Sequence, residues 1–158
     1  MLPRASIPGE KALLKIKRYC AYQERSHKEV MDKLYSWGFY KKEAELLLSQ
    51  LIEEGYLNEE RFAILFAGGK FRIKQWGKKR IGQALKERQV SRYCIKKALL
   101  QIDSEAYHQT LQKLAGTKWA QLKAEKDIFI KKRKLQDYLL QKGYEYELVR
   151  EVSEHVAK

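Results

Sequence analysis

One apolar pattern occurs three times along this chain, and few folds accommodate it. The positions Val30, Leu34, Phe39, Ala44, Leu47, Leu48 and Leu51 recur 51 residues on as Ile81, Leu85, Val90, Ile95, Ala98, Leu99 and Ile102. A shift of 105 gives Leu135, Leu139, Tyr144, Val149, Val152, Ser153 and Val156, and there only Ser153 breaks the pattern. Repetition at a fixed spacing marks tandem copies of one supersecondary unit. Within each copy the steps are of three and four residues, the helical period, and strand-like alternation is missing. A unit of this length is too long for a two-helix repeat and fits three helices. The pattern therefore predicts an all-α chain of three tandem three-helix repeats forming an elongated, curved array.

Helix punctuation places the boundaries. Residues 1–9 hold both prolines, Pro3 and Pro8, and read as a flexible lead-in. The first repeat takes 10–55, the second 56–102 and the third 103–158. In the first, a helix runs from about Glu10 to Tyr22, and Ser26 with Glu29 forms a capping box for the next. Gly38 ends that helix in a left-handed turn, and a third covers Tyr40 to Glu54. In the second repeat Asn58 caps a helix reaching Ile73, Gly77 opens the next and Ser91 caps the last. In the third a long helix follows Asp103, with Gly116 a point of interruption, and Gly143 divides the final pair. Phe62, Leu65, Phe66 and Ile73 form one apolar stripe. Tyr22, Tyr35, Tyr56 and Tyr138 are expected to bury their rings and keep their hydroxyls wet.

Several classes are set aside by what the chain lacks. Cys20 and Cys94 stand far apart with no CxxC, which predicts no disulfide framework and a reduced, cytoplasmic setting. His27, His108 and His155 are scattered, which predicts no zinc site and no cofactor. No apolar run approaches the ~18 residues of a membrane helix, and none at the start has signal-peptide character. Walker or Rossmann loops and nucleophile–base spacings are missing, so no catalysis is expected.

Charge is the loudest global property. The net charge is +13, and it is unevenly spread. Residues 1–65 carry 11 basic and 10 acidic residues, residues 66–100 carry 11 and one, and residues 101–158 carry 11 and 9. So concentrated a field predicts a polyanionic partner, with nucleic acid foremost. A solvated basic surface is the plainer alternative.

Repeat alignment shows where the copies part. The middle helix of the first copy starts SHKE (26–29), while the same slots read GKKR (77–80) in the second and KKRK (131–134) in the third. Cations at a helix start oppose the macrodipole by ~0.3–1 kcal/mol each when exposed. In the second copy the free amides of that start, with basic side chains around them, are expected to form an anion cradle. The candidate binding residues are Lys70, Arg72, Lys74, Trp76, Lys78, Lys79, Arg80, Lys86 and Arg88. Trp76 has two readings, a platform for an exposed base or a hydrophobic lid on the helix pair. Trp37 and Trp119, without so dense a basic cluster beside them, read as core. Lys131, Lys132, Arg133 and Lys134 are the weaker candidates, readable equally as a solvated charged face.

The segments YQERSHKEVMDKL (22–34), GYLNEERFA (55–63), WGKKRIGQAL (76–85) followed by Val90, and KRKLQDYLLQKGYEYELV (132–149) resemble the RecX family of recombination regulators. The resemblance covers about residues 12–157, with Tyr144 where phenylalanine is commoner. It implies three tandem three-helix repeats, no enzymatic activity and no cofactor. It implies as partners the RecA recombinase filament and single-stranded DNA, with direct binding to DNA, double-stranded included, and no membrane. The expected outcome is a monomeric protein that limits filament growth and lowers its ATPase, strand-exchange and co-protease activities. It supplies no binding residues to carry over, so the basic slots above are a reading of this chain alone. Within the family motif, Glu59, Glu60 and Arg61 read first as structural: the acids suit a helix start, and Arg61 is placed to pair with a carboxylate. An independent, sequence-nonspecific DNA-binding module is the alternative function, and a helical adaptor for an acidic protein a third.

Overall fold

Each repeat begins its middle helix by a different device, and the differences are visible in the capping contacts. The computed structural model describes residues 9–158, so the expected lead-in lies outside the described residues except for Gly9, which starts the first helix. Among the described residues there are α-helices and one π-helical segment, and no strand. The helices are α1 (Gly9–Tyr22), α2 (His27–Ser36), α3 (Lys41–Glu53), α4 (Glu59–Gly69), α5 (Lys78–Glu87), α6 (Arg92–Leu100), α7 (Ser104–Gln121), α8 (Ile128–Lys142) and α9 (Tyr146–Val156). The π segment, Lys70–Lys74, continues α4.

The expected caps form. Ser26 Oγ accepts from Glu29 N at 3.1 Å, and Glu29 Oε1 accepts from Ser26 N, closing the capping box of α2. Asn58 Oδ1 accepts from Arg61 N at 2.9 Å, and Ser91 Oγ accepts from Cys94 N at 3.3 Å. The repeat extends to the backbone. Gly38, Gln89 and Gly143 occupy one slot of the three copies, and all have positive φ, at 90°, 59° and 104°. Each ends the helix before it.

The chain forms two compact units. One comprises the described residues up to Leu65 together with Leu85–Lys97; the other comprises Phe66–Ala84 and Ala98–Lys158. The second repeat's residues are therefore shared between them. In the first unit Ala12, Ile16, Cys20, Val30, Leu34, Phe39, Ala44, Leu51 and Leu57 form a continuous core. Its two cysteines, Cys20 and Cys94, are buried and free. In the second, α7, α8 and α9 each pack on the other two, burying Leu111, Leu135, Leu139, Tyr144 and Val149. Ser153, the one polar residue in the repeat pattern, is fully buried and donates its hydroxyl to Val149 O at 2.6 Å, so no polar group is stranded there.

Four expectations are corrected. Ile73 is 80% exposed, not part of a stripe, because the π segment adds a residue to the turn and sends Phe71 inward instead. Leu65 is also exposed, since the inward face of α4 runs through Phe62, Ala63 and Ala67. Gly116 does not interrupt α7: the helix runs through it, and its surroundings are open. The tyrosines that bury their rings are Tyr107 and Tyr144, whereas Tyr22, Tyr35 and Tyr56 are exposed.

Candidate nucleic-acid interface

The basic residues 70–80 lie on an unusual piece of backbone, all of it within the second unit. The π segment closes with Trp76 N donating to Lys70 O at 3.2 Å, and Gln75 follows in the left-handed conformation at φ 58°. A π turn and a left-handed non-glycine residue together cost free energy, so contacts from elsewhere must hold them. Those contacts come from α7 and from the end of α8. Tyr144 Oη donates to Gln75 O at 3.0 Å, and Lys142 Nζ donates to Lys74 O at 3.3 Å.

The start of α5 is held in the same way, which overturns the expected anion cradle. Gly77 N donates to Lys142 O at 2.8 Å and Lys79 N to Gly143 O at 2.9 Å. Lys78 N donates to Tyr107 Oη at 2.9 Å. The Tyr107 hydroxyl in turn donates to Glu145 Oε1 through a short hydrogen bond. Burial, and then that bond to Glu145, push the Tyr107 phenol well above its ordinary range, so it stays neutral and can donate and accept at once. The amides of Gly77, Lys78 and Lys79 are thus already engaged.

The same contacts explain why cations stand in this slot. The carbonyl end of α8, which carries partial negative charge, meets the amide end of α5, which carries partial positive charge. No acid is needed at the start of α5, and a cation there faces the α8 carbonyls. Arg80 Nη1 donates to Gln141 O at 3.3 Å accordingly.

Among the described residues none of Lys70, Arg72, Lys74, Lys78, Lys79 and Arg80 lies within ion-pair distance of a carboxylate. Arg72, Lys74, Lys79 and Arg80 are exposed; Lys70 and Lys78 are half-buried. Trp76 is half-buried with Arg80 Cζ 4.3 Å and Lys70 Nζ 5.0 Å from its ring centroid. Stacking of this kind orients the guanidinium. Lys86 and Arg88 fall in the other unit, exposed and half-buried respectively.

The third copy's cluster is different. Asp127 caps α8 by accepting from Phe129 N and Ile130 N, so Lys131–Lys134 stand inside an already stabilised start. Lys132 pairs with Glu154 at 3.3 Å and Lys134 with Glu125 at 3.0 Å. Lys131 Nζ lies 4.1 Å from the Trp119 ring centroid, and Arg133 is exposed. Trp119 is half-buried beside this basic cluster rather than in the core, whereas Trp37, also half-buried, packs against the core of the first unit as expected. Contact between Trp119 and Lys131 joins α7 and α8, a link that sequence spacing does not reveal.

Arg61 pairs with Glu24 and also donates to Gly55 O, Glu60 pairs with Lys97, and Glu59 accepts from Ser91 N. The charged trio at the start of α4 thus ties the first unit together. Among the described residues no three His, Cys, Asp or Glu gather as a metal-ligand set, and no helix is long and apolar enough to cross a membrane.

Comparison with known proteins locates the chain. Residues 58–99 match the family profile described as RecX, second three-helix domain, and residues 105–152 that of RecX, third three-helix domain; together they span more than half of the chain. The chain belongs to the RecX family. It is 35% identical over 124 residues to the regulatory protein RecX of Clostridium perfringens (strain SM101 / Type A), covering 78% of this chain and 58% of that relative. It is 28% identical over 153 residues to the regulatory protein RecX of Thermotoga sp. (strain RQ2), covering 94% and 86%. The chain therefore spans under two thirds of the length of the Clostridium RecX. The crystal structure of RecX from Lactobacillus salivarius shares the fold, with a TM-score of 0.84 at 21% identity, covering 94% of this chain and 96% of that one. The Clostridium and Thermotoga relatives each carry the name of a regulatory protein.

Proposed function

We propose that this chain is a non-enzymatic, monomeric, cytoplasmic regulator that binds the RecA filament on single-stranded DNA and limits its growth. It thereby lowers the filament's ATPase, strand-exchange and co-protease activities in recombination, DNA repair and the SOS response. The repeats at 10–55, 56–102 and 103–158 are its working units. One observation carries the reading: a RecX-family chain holds six cations, Lys70 to Arg80, on a fixed backbone with no carboxylate within ion-pair distance among the described residues. Desolvated against internal acids, these charges would be spent; left unpaired, they are available to phosphate oxygens. Lys86 and Arg88, in the first unit, are further candidates, and Lys131, Lys132, Arg133 and Lys134 are secondary to Lys70–Arg80.

The test is the single-stranded-DNA-dependent ATPase of RecA. Added well below stoichiometry, the chain suppresses it; an unchanged rate at equimolar protein removes the reading. The unpaired cations also favour a second one, an independent, sequence-nonspecific DNA-binding module. Tight binding to naked DNA with a steep salt slope, and no effect on RecA, selects that alternative.

A further inference from the structure

The first turn of α8 presents three large apolar residues in succession to solvent. Ile128, Phe129 and Ile130 are 44%, 80% and 46% exposed. The helix does not need them: Asp127 supplies the cap, and Leu135 and Leu139 supply the buried face one and two turns later. A contiguous apolar patch of this kind marks an interaction site.

Charge around the patch narrows the partner. Glu125 and Glu154 engage Lys134 and Lys132, and Asp127 is occupied by the helix amides. Lys123, Lys126 and Arg133 flank the patch and are exposed. The segment Lys70–Arg80 shows the converse, cations without carboxylates and one half-buried ring. A phosphate backbone suits unpaired cations, whereas exposed isoleucines have no π-face to offer a base. An apolar centre with a thin basic rim is the composition of a protein interface.

We infer that the first turn of α8 is a protein-docking site that inserts Phe129 into an apolar socket with an acidic rim, separately from nucleic-acid binding at Lys70–Arg80. The proposal rests on the RecA reading for the identity of that partner. Phe129 is the anchor because it is the largest and most exposed of the three, and central aromatic anchors dominate such interfaces.

The experiment uses the full chain, labelled with a fluorophore, as wild type, Phe129→Gln, Phe129→Glu and Leu46→Gln. Leu46, 70% exposed in the first unit, is the control. Binding is measured to RecA-coated single-stranded DNA and to the naked strand. Both Phe129 variants are expected to lose about tenfold or more in affinity for the filament, with naked-strand affinity within about twofold of wild type. Circular dichroism and Tm should not move, and Leu46→Gln should match wild type. Equal losses on naked strand and filament assign the patch to base stacking and overturn the proposal. So do unchanged filament binding by both Phe129 variants, an equal loss with Leu46→Gln, or a wild-type dimer that Phe129→Gln dissolves. A wild type that ignores the filament removes the RecA reading itself, a result distinct from a variant that binds as wild type does.

Discussion

Gly77 and Gly143 cross so closely that a Cβ on Gly77 would lie 2.3 Å from the Gly143 carbonyl carbon, and one on Gly143 would lie 2.3 Å from Arg80 Cβ. This crossing lets the carbonyl end of α8 hydrogen-bond the amide end of α5 directly, and it sets the conformation from which Lys74, Lys79 and Arg80 project. The basic segment is therefore shaped by the third repeat. Its geometry and its charge have separate origins and can be tested separately.

Replacing Gly143 by alanine attacks the geometry. The new Cβ meets backbone and Cβ atoms of Arg80, which cannot swing aside, and φ of 104° is strained for any L side chain. Gly143→Ala should cost at least about 2 kcal/mol in urea unfolding. It should also weaken single-stranded DNA binding although no charge has changed. Wild-type stability in this variant would show that the crossing is not held closed.

Removing charge tests the other half. Lys74 and Lys79 are exposed and, among the described residues, have no carboxylate within ion-pair distance, so each is available to a phosphate. Lys74→Gln with Lys79→Gln should lower the slope of log K against log salt by roughly 1.4, two contacts at about 0.7 each on a single strand. Lys132→Gln, which removes a cation already held by Glu154, should leave the slope nearly where it was. A slope that responds equally to all three positions would refute the distinction between the second and third basic slots.

Much of this fold is legible in the sequence because its signals are local. Ser26, Asn58, Ser91 and Asp103 cap the helices that follow them, and the apolar pattern at 51 and 105 residues marks buried or half-buried positions throughout. What stays hidden is what depends on distant partners. The π segment at Lys70–Lys74 follows from tertiary contacts, since nothing in its own composition asks for a wide turn. The amides of Lys78 and Lys79 look free until Tyr107 and Gly143, 29 and 64 positions on, are seen to engage them. The concentration of charge is plain in the sequence, but which cations are neutralised internally is a matter of three-dimensional placement.

The repeat's own backbone offers a stabilising change. Gln89 occupies the slot where the other two copies have Gly38 and Gly143, and like them it is left-handed, at φ 59°. A non-glycine residue there carries a steric penalty of ~1 kcal/mol. Gln89 is exposed, so shortening it sacrifices little packing. Gln89→Gly should raise the unfolding free energy by about 0.5–1 kcal/mol, read from urea midpoints at constant m. A lower midpoint would mean that the glutamine side chain contributes more than its backbone costs.

Glu59 makes the stability of the first unit depend on pH. Burial pulls its carboxyl upward, but hydrogen bonds from Ser91 and Cys94, together with the charge of His27, outweigh burial and hold it below the ordinary value of 4.5. A carboxylate with a lowered native pKa stabilises the fold fully above its unfolded pKa, and that contribution is lost as pH falls through the native one. At neutral pH, Glu59→Gln should therefore cost about 1–3 kcal/mol, the range for a hydrogen bond to a charged group. As pH falls from the ordinary carboxylate value through the lowered native one, the wild type should lose this advantage while the variant, having no proton to gain, does not. Urea midpoints of the two proteins should converge across that window. A gap that stays constant through acid titration would show that Glu59 acts through shape and not through its charge.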